Sequence, residues 1–337
     1  MLSIVITARN DNYGGDFLDR LNSFGRVLFE FGNHFRLDAE LIVVEWNPPK
    51  ENPPLQDAVM WNRHSGRIMT RFLRVSPEIH ASFPNSDRLP IFEFIAKNAG
   101  VRRARGKFIL VTNPDILFSK ELIKFLALNQ FSERSFYRMD RYDFHKAGEF
   151  CSIGRSADAL VSAAKSQIFQ VHVRQEKVEG TALKAITKFE KWAGILTGRW
   201  PGSRYDRLHK EGLAARTLPS NCYGGVYTNA AGDFLLASAE AWNRIRGFPE
   251  MTDTFTILDG YAACQFSAVG FEQMLLLPPA MILHADHSRE ANETRPRLAR
   301  EKWYSDMMGI VDGRIDPVLN GESWGLADHV LPETRLC

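Results

Sequence analysis

Short apolar runs alternating with helically spaced segments constrain the fold of this chain more than any other feature. Residues 2–7 read Leu-Ser-Ile-Val-Ile-Thr, residues 40–45 read Glu-Leu-Ile-Val-Val-Glu, and residues 107–112 carry Phe-Ile-Leu-Val. Runs this short, bounded by turn signals, read as buried strands. After the first run, Phe17, Leu21, Phe24, Val27, Leu28 and Phe31 recur at three- and four-residue steps, which places them on one helix face. Gly32-Asn33 is a stop signal for that helix. Trp46-Asn47-Pro48-Pro49 closes the second run, because proline cannot donate to a ladder. Residues 68–75 can form a third strand, and residues 90–104, with Phe92, Ile95 and Ala99 inward, read as the helix before the strand at 107–112. Strands alternating with helices imply right-handed crossovers, hence an α/β fold with a mostly parallel central sheet and helices on both faces.

Beyond this region the pattern loosens, between residues 144 and 221, with helical spacing at 159–171 and 182–196. Residues 184–210 are basic, carrying Lys184, Lys188, Lys191, Arg199, Arg204, Arg207 and Lys210. They read as a helical insertion lying over the sheet, although the charge alone is better explained by a solvated helical face. Regular structure returns at 224–237, continues in a helix near 239–245 and ends in a strand at 273–277. The polar stretch from 291 to 337, with Trp303 and Trp324, reads as a C-terminal wrap or lid.

Composition removes several classes. A formal net charge of +2 over 337 residues gives no reason to expect nucleic acid as a partner. Cys151, Cys222, Cys264 and Cys337 are far apart, so neither a zinc ribbon nor a disulfide framework is indicated, and a reducing compartment fits. The first residues read at once as a strand, with no basic region before an apolar one, so no signal peptide is expected. The mostly apolar stretch 274–283 contains Pro278 and Pro279 and cannot span a bilayer. A cytoplasmic location is the expectation, with room left for peripheral membrane contact.

The residues that carry chemistry cluster at the predicted strand ends. Asn98, Gly100, Ala104 and Gly106 lead into the strand at 107–112, which finishes on Asn113-Pro114-Asp115. A carboxylate just beyond a buried strand lies where ligands bind in open α/β sheets, and it suits Mg²⁺ or Mn²⁺ shared with substrate phosphates. Asn-Pro-Asp is equally ordinary turn chemistry. Asn113 can point an amide oxygen at ribose or metal but brings no charge. The loop Arg9-Asn-Asp-Asn-Tyr-Gly-Gly15 follows the first strand. There Asp11 can accept from a base or ribose and Arg9 can face a phosphate. The loop has no G-x-G-x-x-G and is not a Walker loop, which argues against ATP hydrolysis or a dinucleotide. It can equally be a plain connection, with Asp16 capping the next helix. Of Arg102, Arg103 and Arg105, one can neutralise a diphosphate, while at least two read as surface charges at a helix end. His284-Ala-Asp-His287 is unusually dense in metal ligands. The chain has neither an H-E-x-x-H nor a cysteine ligand set, which argues against a zinc hydrolase.

In their order and spacing these elements resemble GT-A nucleotide-sugar glycosyltransferases related to family 2. The likeness covers most of residues 1–130 and 224–290 and rests on the strand ending at Asn113-Pro-Asp115 in place of D-x-D, on Gly232-Asp233, on Leu258-Asp259 and on His284. It implies a GT-A, Rossmann-like fold with a helical insertion and C-terminal lid. Residues 1–130 would form the nucleotide-sugar-binding half, 131–222 a connecting segment with the basic insertion, 223–290 the acceptor and catalytic half, and 291–337 the tail. The donor would be a nucleoside-diphosphate sugar, the acceptor a hydroxyl of a carbohydrate or lipid-linked molecule, and the cofactor Mn²⁺ or Mg²⁺. Arg9, Asp11, Glu45, Asn98, Arg102, Asn113 and Asp115 would contact the donor, with Glu45 on the nucleoside. Asp115 with His284, or His287, would bind the metal. Asp233 would hydrogen-bond an acceptor hydroxyl. Asp259 would be the base of an inverting enzyme, although its place also suits a helix N-cap. Two other readings stay open: a sugar nucleotidyltransferase, and a non-catalytic nucleotide or carbohydrate binder.

Overall fold

The first strand, β1 (Leu2–Ala8), is buried along its whole length, and its side chains divide by parity. Leu2, Ile4, Ile6 and Ala8 join one apolar cluster, and Val5 joins another. A strand does this when its sheet is covered on both faces. The computed structural model describes residues 1–61, 66–145, 154–173, 176–179, 216–219, 225–254, 258–287 and 300–336. The strands after β1 are β2 (Ala39–Trp46), β3 (Ile68–Val75), β4 (Phe108–Thr112), β5 (Ile116–Phe118), β6 (Ser135–Met139) and β7 (Arg141–Phe144). Next come β8 (Ile168–Val173), β9 (Glu176–Glu179), β10 (Arg216–Pro219), β11 (Phe234–Ser238), β12 (Glu272–Leu277), β13 (Ile282–Ala285) and β14 (Glu333–Leu336). The helices are α1 (Phe17–His34), α2 (Leu55–Ala58), α3 (Pro77–Ala81), α4 (Glu93–Arg102) and α5 (Lys120–Leu128). They continue with α6 (Ala157–Ser166), α7 (Ala239–Ile245), α8 (Leu258–Ala268) and α9 (Arg300–Val311).

The larger sheet has the order β10-β12-β6-β11-β4-β1-β2-β3-β14. β4, β1, β2 and β3 are mutually parallel, as are β6 and β12, while β10, β11 and β14 run against their neighbours. The mostly parallel α/β sheet expected from the sequence is therefore present. On one face α1, α5 and α6 contribute Leu21, Leu122 and Leu160 to the core; on the other α4, α7, α8 and α9 contribute Ile95, Trp242, Phe266 and Ile310. Gly100 explains how closely α4 seats on the sheet. A Cβ there would lie 2.5 Å from Val5 Cγ1 and 3.0 Å from Val44 Cγ2. Its place in the sequence series thus reflects packing of α4 against the sheet. None of the described helices is long and apolar enough to cross a membrane.

Beyond β4 the chain departs from its periodicity. β5 ends at Phe118, and α5 begins at Lys120, where Ser119 Oγ accepts from the Leu122 amide at 3.2 Å. The helical reading of 159–171 holds only to Ser166, after which the chain turns into β8. The helical segment 182–196 and the basic stretch 184–210 lie outside the described residues. β5, β7, β8, β9 and β13 form a second sheet, in the order β5-β13-β7-β8-β9, that periodicity did not disclose. Of the wrap or lid read for the tail, its far end forms a wrap. Arg102 donates to the Trp324 carbonyl, Arg103 to those of Gly325, Leu326 and His329, and β14 pairs with β3. Those arginines close α4 just before β4 begins, at the sheet edge opposite the one where the parallel strands end.

Candidate metal and catalytic site

Strand register assembles the centre of the site. Asp115 directly precedes β5, and β13 pairs antiparallel with β5 so that His284 faces Ile116. On its other side β13 pairs parallel with β7, which sets His284 beside Asp143. Asp115 Oδ2 consequently lies 3.7 Å from His284 Nε2 and 3.3 Å from His287 Nε2. One ligand atom from each of the three residues falls within 4.8 Å of the other two. Ligands at about 2.1 Å from one cation sit about 3 Å apart, so a carboxylate oxygen and two imidazole nitrogens at these spacings fit a divalent ion. Both of the histidines that the sequence reading considered thus lie beside Asp115.

The loop after β1 closes over this cluster. The Tyr13 ring meets His287 edge-on at 5.1 Å between centroids. Gly14, at φ +74°, approaches so closely that a Cβ would lie 2.9 Å from His287 Nδ1 and 2.9 Å from Arg20 Nη1. Arg20 is only 1% exposed; its Nε stands 4.0 Å from Asp115 Oδ2. It donates to the Tyr13 carbonyl at 2.6 Å and pairs with Asp16, which therefore serves Arg20 and makes no side-chain cap on α1. Burial opposes a charge on Asp115. The His284 and His287 imidazoles and the Arg20 guanidinium outweigh it and hold the carboxyl well below the usual range. Asp115 is thus an anion at neutral pH, as a cation ligand must be.

A second cluster adjoins the first through Asn113 and Arg141. Lys97, fully buried at 0% exposure, reaches Glu93 Oε1 at 2.5 Å, Asn113 Oδ1 at 2.7 Å and the Gly232 carbonyl at 3.2 Å. Asn113 Nδ2 in turn donates to Asp233 Oδ1 at 2.7 Å, and Arg141 Nη1 donates to Asp233 Oδ2 at 2.9 Å. The same Arg141 stands with Nε 2.9 Å from Asp143 Oδ1, and that oxygen is 3.0 Å from His284 Nδ1. Asp259, in the first turn of α8, accepts from the Gly232 amide at 2.7 Å. Burial, reinforced by Asp233, raises its pKa above the ordinary carboxylate value. A carboxylate shifted that way is better matched to taking a proton near neutrality.

The structure disperses several residues that the sequence reading grouped on the donor. Glu45 is buried and spent on the Leu55 amide at 2.7 Å and on Arg74 Nε at 3.2 Å, so it does not present itself to a nucleoside. Asn98 is buried on the far face, exchanging hydrogen bonds with the backbone of Phe248 and donating to Glu250 Oε1. Arg102 holds the C-terminal strap at the opposite sheet edge from Asp115 and is not placed to neutralise a diphosphate there. Asn113 turns its amide oxygen to Lys97 Nζ at 2.7 Å. Arg9 and Asp11 stay at the strand-end edge, paired with each other at 2.6 Å, with Arg9 Nε also on the Asn47 carbonyl at 2.7 Å. Missed entirely were Arg20, Lys97, Arg141 and Asp143. Their only sequence signals were a charge inside an apolar helix face, for Arg20 and Lys97, and the alternation of Arg141-Tyr-Asp-Phe144.

No protein-family model matches the chain, and no curated protein matches it in sequence. It is similar to the solved structure of GalNAc-T7 with UDP, GalNAc and Mn²⁺, at 10% identity and TM-score 0.47 over 86% of this chain and 44% of that one. It is also similar to S. aureus TarS 1–349 in complex with UDP, at 12% identity and TM-score 0.45 over 96% of this chain and 66% of that one. TarS 1–349 alone gives 14% identity and TM-score 0.43 over 93% and 71%. The chain thus spans less than two thirds of the first two, at 44% and 66%.

Proposed function

We propose that the chain is a metal-dependent GT-A glycosyltransferase that moves a sugar from a nucleoside-diphosphate sugar to a hydroxyl acceptor. The observation that carries this reading is the Asp115–His284–His287 cluster at the edge where the parallel strands end. That edge is the ligand-binding edge of open α/β sheets. Those three residues would hold the cation, and two imidazoles beside a single carboxylate suit Mn²⁺ better than the oxygen-seeking Mg²⁺. When bound, such an ion supplies Lewis-acid stabilisation to a departing diphosphate.

The remaining chemistry falls to the chain's own side chains. Asp259, with its raised pKa, is the group proposed to take the proton from the acceptor hydroxyl if configuration inverts. Asp233, fixed by Asn113 and Arg141, would orient that hydroxyl. Arg20 keeps the Tyr13–Asp16 loop over His287 and balances the charge of Asp115.

The test is release of nucleoside diphosphate from a panel of nucleotide sugars, with and without Mn²⁺. Release from at least one donor, requiring a divalent cation and abolished in Asp115→Asn, is the expected result. No release from any donor, together with unchanged nucleotide binding in Asp115→Ala, sinks the proposal. Pyrophosphate release from a nucleoside triphosphate and a sugar phosphate contradicts it in favour of nucleotidyl transfer.

A further inference from the structure

We infer that Asp143 is a positioning residue that fixes the ring and the tautomer of His284, so that the Nε2 lone pair points toward Asp115. The inference rests on the reading of Asp115, His284 and His287 as cation ligands and deepens it.

Parallel pairing of β7 and β13 puts Asp143 and His284 side by side on one face, with Asp143 Oδ1 3.0 Å from His284 Nδ1. Asp143 is itself locked. Its Oδ2 accepts from Gln170 Nε2 at 2.7 Å and lies 2.9 Å from His172 Nε2, while Arg141 Nε stands 2.9 Å from Oδ1. At 5% exposure, and with neighbours from both β7 and β8, this carboxylate has no room to swing away from His284. Oδ1 and Nδ1 are both buried and make no hydrogen bond to any other described group; since a carboxylate accepts only, the two can satisfy each other only with the proton on Nδ1. For a neutral imidazole that leaves Nε2 bare, and Nε2 is the nitrogen that faces Asp115 at 3.7 Å. With the opposite tautomer Nε2 would carry a hydrogen and could not ligate. Such outer carboxylates orient metal-binding histidines and raise their basicity.

Arg141 gives the arrangement further reach, because it also holds Asp233 at 2.9 Å. The orientation of His284 is therefore tied to that of the proposed acceptor-binding carboxylate through one partly buried guanidinium.

Two measurements decide. Long-range ¹H–¹⁵N correlation spectra of the ¹⁵N-histidine-labelled wild-type protein at pH 8, with His284 assigned from His284→Gln, report the tautomer without any metal or substrate. A proton on Nδ1 is expected; a proton on Nε2 overturns the inference. Mn²⁺ titration followed by electron paramagnetic resonance, with no nucleotide present, then compares Asp143→Asn with wild type. The dissociation constant should rise about 10- to 100-fold in Asp143→Asn. A change under twofold, while His284→Ala weakens Mn²⁺, reduces Asp143 to a structural role. If neither Asp115→Asn nor His284→Ala alters Mn²⁺ binding, the metal reading fails, and the tautomer still judges Asp143. Should Asp143→Asn not fold, the wild-type spectrum decides alone.

Discussion

Asn113→Asp introduces a second acid two residues before Asp115, and the surroundings of residue 113 determine what that acid does. The amide accepts from Lys97 Nζ at 2.7 Å and donates to Asp233 Oδ1 at 2.7 Å. Aspartate keeps the first contact and turns the second into two carboxylate oxygens face to face. At an effective dielectric of about 20, unit charges at such a distance interact by about 6 kcal/mol. The new attraction to Lys97 and the new repulsion from Asp233 act over equal ranges and largely cancel. What remains is the lost hydrogen bond to a charged acceptor, worth about 1.5–3 kcal/mol. At about 2 °C per kcal/mol for a chain this long, Tm should fall by about 3–6 °C. The paired carboxylates relieve their repulsion by taking up a proton that the unfolded chain does not bind. The destabilisation is then largest near pH 8 and shrinks toward pH 5. Thermal denaturation at both pH values measures this, and Mn²⁺ titration should show an affinity within twofold of wild type. A Tm at pH 8 equal to or above wild type, or tenfold tighter Mn²⁺ binding, refutes the reasoning and makes residue 113 a metal-ligand position.

Further predictions concern the loop, a buried histidine and the strap. Gly14→Ala forces a side chain into the left-handed region against His287 and Arg20, so it should cost about 1–3 kcal/mol and weaken Mn²⁺ several-fold by the same titration. His80 accepts from Trp46 Nε1 at 2.8 Å, and burial lowers its pKa from 6.5, so the folded state favours the neutral ring. Its contribution to stability is full above pH ~6.5 and is lost as pH falls through the folded pKa. Chemical denaturation between pH 7.5 and 5 should accordingly show a shallower slope in His80→Gln than in wild type. Glu333, held at about 2 by its hydrogen bond to Arg71 despite partial burial, contributes stability above pH ~4.5 that disappears as pH falls toward 2. Glu333→Gln should flatten that acid limb in the same measurement.

The long buried elements were legible because burial and periodicity act together. α1 carries its apolar stripe for 18 residues, and β2 and β3 are fully or largely buried over 8 residues each. The second sheet was not legible. β5 and β13 are 3 and 4 residues long, too short for alternation to register, and β5 runs straight into the pattern of α5. Asp115, His284 and His287 could be found because a carboxylate after a strand and a dense histidine pair are visible as residue types. Register, which places Asp143 beside His284, is a property of pairing and leaves no mark on either segment alone. Glu45, Asn98 and Arg102 misled for the converse reason. Their partners, Arg74, Glu250 and the Trp324 carbonyl, are distant in sequence, so nothing local showed that these polar groups were already satisfied.

The most direct test of the metal centre is anomalous diffraction at the manganese edge from crystals soaked with Mn²⁺ and a nucleoside diphosphate. A peak bounded by Asp115, His284 Nε2 and His287 Nε2 is the expected result. Manganese bound elsewhere on the chain, or nucleotide bound with those three side chains free of metal, contradicts the assignment on which the proposed activity stands.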